Sequence, residues 1–461
     1  MNQAKSFGIT KQQVWAAYKV VKANKGGAGV DGQTIGKFEE ALEANLYKLW
    51  NRLASGSYMP PPVKRVEIPK TDGSTRPLGI PTVADRIAQT VVKHALEPEL
   101  ERHFHPDSYG YRPGKSAHQA IGEARKRCWA YDWVVDLDIK GFFDTIDHEL
   151  LMRVVRLHTQ EKWVLLYIER WLKAPVQYSD GELQARDKGT PQGGVISPLL
   201  ANLFLHYAFD KWMGRHYPDT PFERYADDMV CHCRTREEAD HLKCALKERF
   251  AGCGLELHQE KTKIVYCKDD KRELSYPVIS FDFLGYTFRP RRAKAQTGKV
   301  FTGFTPAISN KAAKAIFTEV RSWKLHLRSD KSLEDLAGMF NATIRGWINY
   351  YGAFYRSALN KLLWKIDCRL VRWAMRKCKR LRNHKRLAVH WLKRIACKQP
   401  GLFAHWQNGI PKTRKSRMSG DVHVRFRERL EGKFLGATRL KSRGEPAPIC
   451  DQAPAATHQF W

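Results

Sequence analysis

Phe222-Glu223-Arg224-Tyr225-Ala226-Asp227-Asp228-Met229-Val230-Cys231 sets two adjacent carboxylates between strand-like apolar flanks. Like charges held this close raise each other's pKa unless a cation intervenes. A divalent metal removes the penalty, since Mg²⁺ takes oxygen ligands and is usually held by one or two carboxylates together with substrate phosphates. A hairpin tip offering Asp-Asp therefore suits a phosphoryl-transfer metal site. Taken alone, the pair also reads as a solvated turn. Upstream, Val134-Val135-Asp136-Leu137-Asp138-Ile139-Lys140-Gly141-Phe142-Phe143-Asp144 puts a further acid, Asp138, at the end of an apolar strand. A two-metal polymerase needs carboxylates from two neighbouring strands, so that ions about 3.5–4 Å apart clamp the attacking and leaving oxygens.

The surrounding pattern is that of an α+β domain. Short apolar strands (Trp133 to Ile139, Met229 to His232) alternate with helix-like runs (Asp85 to Leu100, Glu149 to Lys173, Ser197 to Met213, Glu237 to Gly252). Val63 to Pro69 and Arg76 to Pro81 flank Asp72-Gly73, which predicts a β-hairpin. In Gly189-Thr190-Pro191-Gln192-Gly193-Gly194-Val195-Ile196-Ser197-Pro198, Ser197 can cap the helix that Pro198 begins. Strand signals stop near residue 305.

Together these motifs resemble the reverse transcriptases, and specifically the group II intron-encoded reverse transcriptase/maturase family, over roughly residues 10–440. The resemblance implies a right-hand polymerase, with fingers and palm on antiparallel sheet, followed by an all-α thumb or maturase domain. By resemblance Asp138, Asp227 and Asp228 are the catalytic acids, and with Ile139 they hold two Mg²⁺ ions, for which Mn²⁺ is a possible substitute. Phe143 matches the gate that clashes with a ribose 2′-hydroxyl; its other reading is a core residue beside Phe142. Lys70 and Arg76 match the fingers cations that grip the triphosphate of a dNTP, Gln192 the residue beside the incoming nucleotide, and Lys261 the one that assists pyrophosphate departure. Phe283-Leu284-Gly285-Tyr286 resembles the primer grip, and the loop containing Gly26 and Gly27 the N-terminal extension that lies against the template. Asp136 and Asp144 read as local partners, not metal ligands. Cys231-His232-Cys233 reads as packing.

Composition agrees with a polyanionic partner. The chain has 461 residues, with 79 Lys and Arg against 48 Asp and Glu, for a net charge of +31. No apolar stretch approaches the roughly 18 residues of a membrane helix. Ten scattered Cys without a Cys-x-x-Cys pair, and a start without a secretion signal, suggest an intracellular protein; the resemblance implies a bacterial, cytoplasmic one associated with the nucleoid. The expected divisions are an N-terminal extension (1–58), fingers and palm (59–304), thumb/maturase (305–411), a basic DNA- or RNA-binding segment (412–443) and a loose tail (444–461).

Between 361 and 420, 18 Lys and Arg face Asp367 alone, interleaved with Trp364, Trp373, Trp391 and Trp406. Amphipathic helices that bury the aromatics would turn these cations, among them Lys379, Arg380 and Arg382, toward an RNA backbone. Arg345, in Ile344-Arg345-Gly346-Trp347-Ile348-Asn349-Tyr350-Tyr351-Gly352, could reach phosphate, while Trp347 and Tyr351 read as core. The resemblance thus implies a parent group II intron RNA and a DNA target or primer as partners, with oligomeric state open. Larger members add a nuclease with paired Cys ligands; after residue 420 this chain has only Cys450, so no endonuclease is expected and priming needs another 3′-hydroxyl. Two rival readings are a domesticated relative serving host defence or DNA repair, and a splicing factor that binds RNA without polymerising.

Overall fold

The structure is a computed structural model that describes residues 6–69, 75–294, 298 and 300–408. Lys70 and the segments expected at 412–443 and 444–461 lie outside the described residues. Within them the strands run in chain order as β1 (Val63–Pro69), β2 (Thr75–Ile80), β3 (Trp133–Leu137), β4 (Val176–Gln177), β5 (Leu183–Gln184), β6 (Phe222–Tyr225), β7 (Asp228–Cys233), β8 (Lys263–Tyr266), β9 (Phe281–Phe283), β10 (Tyr286–Lys294) and β11 (Val300–Ile308). They form sheets of order β2-β1-β4-β5, β6-β7-β3-β8 and β11-β10-β9.

The sheet β6-β7-β3-β8 is antiparallel throughout. Side chains alternate across it with the strand period of two. Trp133, Val135, Leu137, Met229, Cys231 and Cys233 enter the main core on one face, and Val134, Val230 and Val265 enter a smaller cluster on the other. Burial of both faces explains why these strands read as nearly continuous apolar runs.

Several elements depart from their sequence-based outlines. The run Glu149 to Lys173 is two helices, His148–Arg156 and Lys162–Lys173, the first capped by Asp147, whose carboxylate accepts from the Leu150 amide at 2.8 Å. Ser197 does not cap its helix. It is the first helical residue, and its hydroxyl is 2.7 Å from that of Thr190. That helix continues past Leu205 through a π-helical turn, His206–Asp210, into Lys211–His216. Strand β11 extends to Ile308, beyond the expected end of strand structure.

The N-terminal residues form no layer of their own. Val14, Tyr18 and Val21 of helix Lys11–Asn24 and Leu49 and Leu53 of helix Leu42–Ala54 share one core with Ile87, Val91 and Val92 of helix Val83–Glu101. The C-terminal helices Asn310–Ser322, Leu333–Tyr351, Arg356–Lys377 and Lys385–Lys398 enclose a separate core containing Trp323, Trp347, Trp373 and Trp406. Trp347 is buried as expected, and Tyr351 half-buried. Among the described residues no helix is long and apolar enough to cross a membrane.

One buried carboxylate ties helix Val83–Glu101 to Tyr58, to helix Lys162–Lys173 and, through Gln89, to the loop before helix Ser197–Leu205. Asp85, 1% exposed, accepts from the Tyr58 hydroxyl at 2.8 Å, the Trp171 indole at 2.7 Å and the Gln89 amide at 2.9 Å. Gln89 in turn accepts from the Val195 amide at 2.7 Å, fixing the loop that carries Gln192. In Asp85→Asn one new amide group confronts the Gln89 amide, and turning Gln89 over strips Val195 of its acceptor. An unsatisfied buried group costs about 1–3 kcal/mol, so chemical denaturation of this variant should show a loss of stability in that range.

Candidate active site

Strands β6 and β7 are joined by the two-residue turn Ala226-Asp227, with Tyr225 opposite Asp228. Turns this tight match the twist of a hairpin when the first central residue has positive φ, and Ala226 has φ 56°. On the other side of β7, the register with β3 ends at Leu137 opposite Met229. Asp138 follows directly after β3, and its charge bears on both Asp227 and Asp228.

The chain after Asp138 is held by the segment 256–262. The Asp138 carbonyl accepts from the His258 amide at 2.8 Å, the Glu256 carbonyl accepts from Lys140 at 2.8 Å, and buried Ile139 bridges to Leu257. Lys261 places its ammonium 3.1 Å from the Asp138 carboxylate.

Charge crowding at the tip is evident in the proton affinities. Asp228 keeps an exposed side chain at the tip, yet desolvation by the surrounding protein, then repulsion from Asp227 and Asp138, pushes it up to about 7 against the pull of Lys261 and Lys311. Asp227 is also raised, mainly by burial, with its own backbone amide and Arg76 opposing. Asp136, deeper in the sheet, is pushed up to about 8 by burial first and Asp228 second. A hard cation would relieve this crowding with ligands it prefers. Among the described residues no three His, Cys, Asp or Glu side chains form a ready-made cage, and Lys261 takes one oxygen of Asp138. The donor set fits an open divalent site completed by substrate phosphates once Lys261 releases Asp138.

Facing the tip, β2 presents Arg76, whose Nε donates to Gln192 Oε1 at 2.7 Å, while Gln192 Nε2 donates to Asp144 at 3.2 Å. The close approach depends on glycine. A Cβ on Gly193, where φ is +111°, would lie 2.4 Å from the Gly79 carbonyl oxygen, and the Gly79 amide donates to the Gln192 carbonyl at 2.6 Å. A cavity of about 340 Å³ opens beside this contact, lined by Arg65, Asp144, Arg186 and Gln192 among others. Asp144 thus pairs locally, as its position suggested. Phe143 is 7% exposed within the main core, its ring against Phe142.

Other expected residues sit elsewhere. Tyr286 is wholly buried and its hydroxyl donates to the Tyr350 carbonyl, so its side chain ties β10 to helix Leu333–Tyr351. Gly26 and Gly27 lie under Arg86, which donates to the Gly27 carbonyl at 2.7 Å. A Cβ at Gly26 would be 2.3 Å from that guanidinium. Arg345, Lys379, Arg380 and Lys377 are exposed on the helical C-terminal region, as is Arg382. Sequence reading passed over Arg224, Asp210, Asn202 and Gly110, which support the turn from behind. Their one legible signal was a charged pair, Glu223-Arg224, inside an apolar strand.

Known proteins bear on this geometry. Residues 68–288 match the model of the reverse transcriptase (RNA-dependent DNA polymerase) family, and residues 313–391 that of the group II intron, maturase-specific domain. Protein YkfC of Escherichia coli (strain K12) is 32% identical over 333 residues, 62% of this chain and 83% of that protein. The group II intron-encoded protein LtrA of Lactococcus lactis subsp. cremoris is 28% identical over 424 residues, 73% of this chain and 68% of LtrA. The chain belongs to the group II intron-encoded reverse transcriptase/maturase family. As a member it is an RNA-directed DNA polymerase with a maturase domain, dependent on divalent metal, with roles in reverse transcription and intron splicing and with intron RNA and other nucleic acids as its substrates and partners. A putative COX1/OXI3 intron 1 protein of Saccharomyces cerevisiae is 29% identical over 277 residues, covering 58% of this chain and 32% of that protein.

The raised proton affinity of Asp228 has a thermodynamic consequence in metal-free protein. Its carboxyl stays protonated when folded but ionises near 4 when unfolded, so folding stability falls as pH rises from about 4 to 7 and the whole penalty remains above 7. Asp228→Asn should therefore raise Tm in EDTA clearly more at pH 8 than at pH 4.5. A gain of equal size at both pH values contradicts the assignment.

Proposed function

We propose that the chain copies its parent group II intron RNA into DNA during intron mobility, using two Mg²⁺ ions, and also binds that RNA to assist splicing. The observation that carries this reading is the clustering of Asp138, just after β3, with Asp227 and Asp228 at the β6-β7 turn, where each charge bears on the others, and with Arg76 held by Gln192 opposite. Asp138, Asp227, Asp228 and the Ile139 carbonyl are the groups that would hold the ions. Bound there, Mg²⁺ supplies activation of a primer 3′-hydroxyl and neutralisation of the developing phosphate charge.

The chain's own residues do the rest. Arg76, with Lys70 from the same hairpin, grips the triphosphate of the dNTP, and Gln192 fixes Arg76 in orientation through its amide oxygen. Lys261 neutralises Asp138 before substrate arrives and is in place to meet departing pyrophosphate afterwards. Phe143, packed against Phe142, walls the sugar site. Gly26 and Gly27 face the template and the Gly285 turn the primer, both through backbone.

For RNA binding, the exposed cations Arg345, Lys379, Arg380 and Arg382 contact phosphates while Trp373 and Trp406 stay in the core. The proposed divisions remain 1–58, 59–304, 305–411, 412–443 and 444–461, the first being continuous with the polymerase core.

With Mg²⁺, dNTPs and a DNA primer annealed to RNA, the purified protein should extend the primer. Asp227→Ala should abolish extension and retain RNA affinity; extension at the unmutated rate overturns the assignment. Reversing Lys379, Arg380 and Arg382 to Glu should weaken intron RNA binding and flatten the slope of log K against log salt by about 2, if each contact counts near 0.7–0.9. An unchanged slope means the RNA docks elsewhere.

A further inference from the structure

Arg224 lies next to the turn residues yet reaches no substrate. It is wholly buried, and its guanidinium donates through Nε and Nη2 to the two oxygens of buried Asp210, at 2.7 and 2.6 Å. Its Nη1 donates to Asn202 Oδ1 at 2.9 Å and to the carbonyl of Ala226 at 3.3 Å. Asn202 then donates to the Gly110 carbonyl at 2.6 Å, and a Cβ at Gly110 would lie 2.3 Å from the Ala226 amide. The loop closes on the strand itself: the Arg224 amide donates to Asp107 at 3.0 Å, and the Arg224 carbonyl accepts from Tyr109 at 2.8 Å. Two of these connections, the Nη1 bond and the close approach of Gly110, meet the Ala226 peptide, the residue of positive φ that presents Asp227 and Asp228.

The other partner comes from an irregularity. Asp210 closes the π-helical turn His206–Asp210, whose extra residue resets the helix face so that this carboxylate, with His206 beside it, meets β6. Such turns are uncommon and concentrate at functional sites. Burying an ion pair gains little stability over an apolar pair. Its bidentate form does fix direction, which a planar guanidinium achieves and an ammonium does not.

We propose that Arg224, held by Asp210 and Asn202, is a positioning residue that sets the Ala226-Asp227 turn and thereby the affinity of the acidic cluster for divalent metal. The inference rests on the reading of Asp227 and Asp228 as metal-holding groups. It assigns to Arg224 a role in metal affinity and none in nucleotide contact.

Primer extension by the full chain, titrated with Mg²⁺ at saturating dNTP and then with dNTP at saturating Mg²⁺, separates these roles. Arg224→Lys keeps the charge opposite Asp210 and loses the fork. It should raise the half-saturating Mg²⁺ concentration about tenfold, as loss of a supporting partner typically does, with the dNTP KM changed less than twofold. Asn202→Ala cuts the link to Gly110 without stranding a charge and should shift the Mg²⁺ requirement in the same direction. It serves as the readout if Arg224→Lys does not fold. A fall in Tm with an unchanged Mg²⁺ requirement in the folded variants overturns the positioning role. Full extension by Asp227→Ala instead overturns the underlying reading of the site.

Discussion

Carboxylates that repel one another sit together at the end of this sheet beside a strand, β6, that is locked further down by buried ion pairs. Strand β6 carries such a pair on each face. Glu223, wholly buried, accepts from Arg127 at 2.7 Å and lies 2.6 Å from His232, while Arg224 on the opposite face pairs with Asp210. Neither pair is an economical way to stabilise a core, since desolvation offsets most of the attraction. What they supply is directional: a strand pinned from both sides cannot slip in register without stranding a charge. A one-residue slip would turn every side chain to the opposite face and part Asp228 from Asp138.

The same economy governs the charge of the whole molecule. A net charge of +31 attracts nucleic acid from a distance, yet the reaction site is locally acidic. Lys261 at Asp138 and Lys311 near Asp228 temper the cluster, so phosphate and metal enter a site whose repulsion is partly held in check. The exposed cations of the C-terminal helices are set apart from this chemistry, on elements with a core of their own. The acidic cluster and the exposed C-terminal cations are thus different populations of charge on elements with separate cores.

Much of this was legible in the sequence, for physical reasons that also mark where legibility stops. Asp138, Asp227 and Asp228 stood out because charge at the end of an apolar strand is costly unless used, and the hairpin β1-β2 was announced by alternation around Asp72-Gly73. What could not be read were pairings between distant segments. Nothing local ties Arg224 to Asp210, or Gly110 to Ala226, and the π-helical turn that makes the first pairing possible has no composition of its own. Ser197 looked like a cap because Ser before Pro usually is one; here Thr190 takes the hydroxyl and moves the helix start back by a residue. Tyr286 looked available to a primer because periodicity cannot say which face of a short ribbon a neighbouring helix will cover, and Tyr350 covers it.

Gln192 shows how the two halves of the site communicate without touching the acids. Its oxygen holds Arg76 from the fingers, its amide nitrogen holds Asp144 from the palm, and its backbone carbonyl accepts from Gly79. Any movement of the hairpin β1-β2 must carry or break these contacts. Gly193 and Gly79 let the two backbones approach until no side chain fits between them, so the loop cannot be displaced inward. It can only rotate with the hairpin or release it. Gln89 anchors the far end of the loop to Asp85 in the core, which makes release the costlier path. The hairpin β1-β2 and the loop carrying Gln192 are thus tied to one another at one end and to the core at the other.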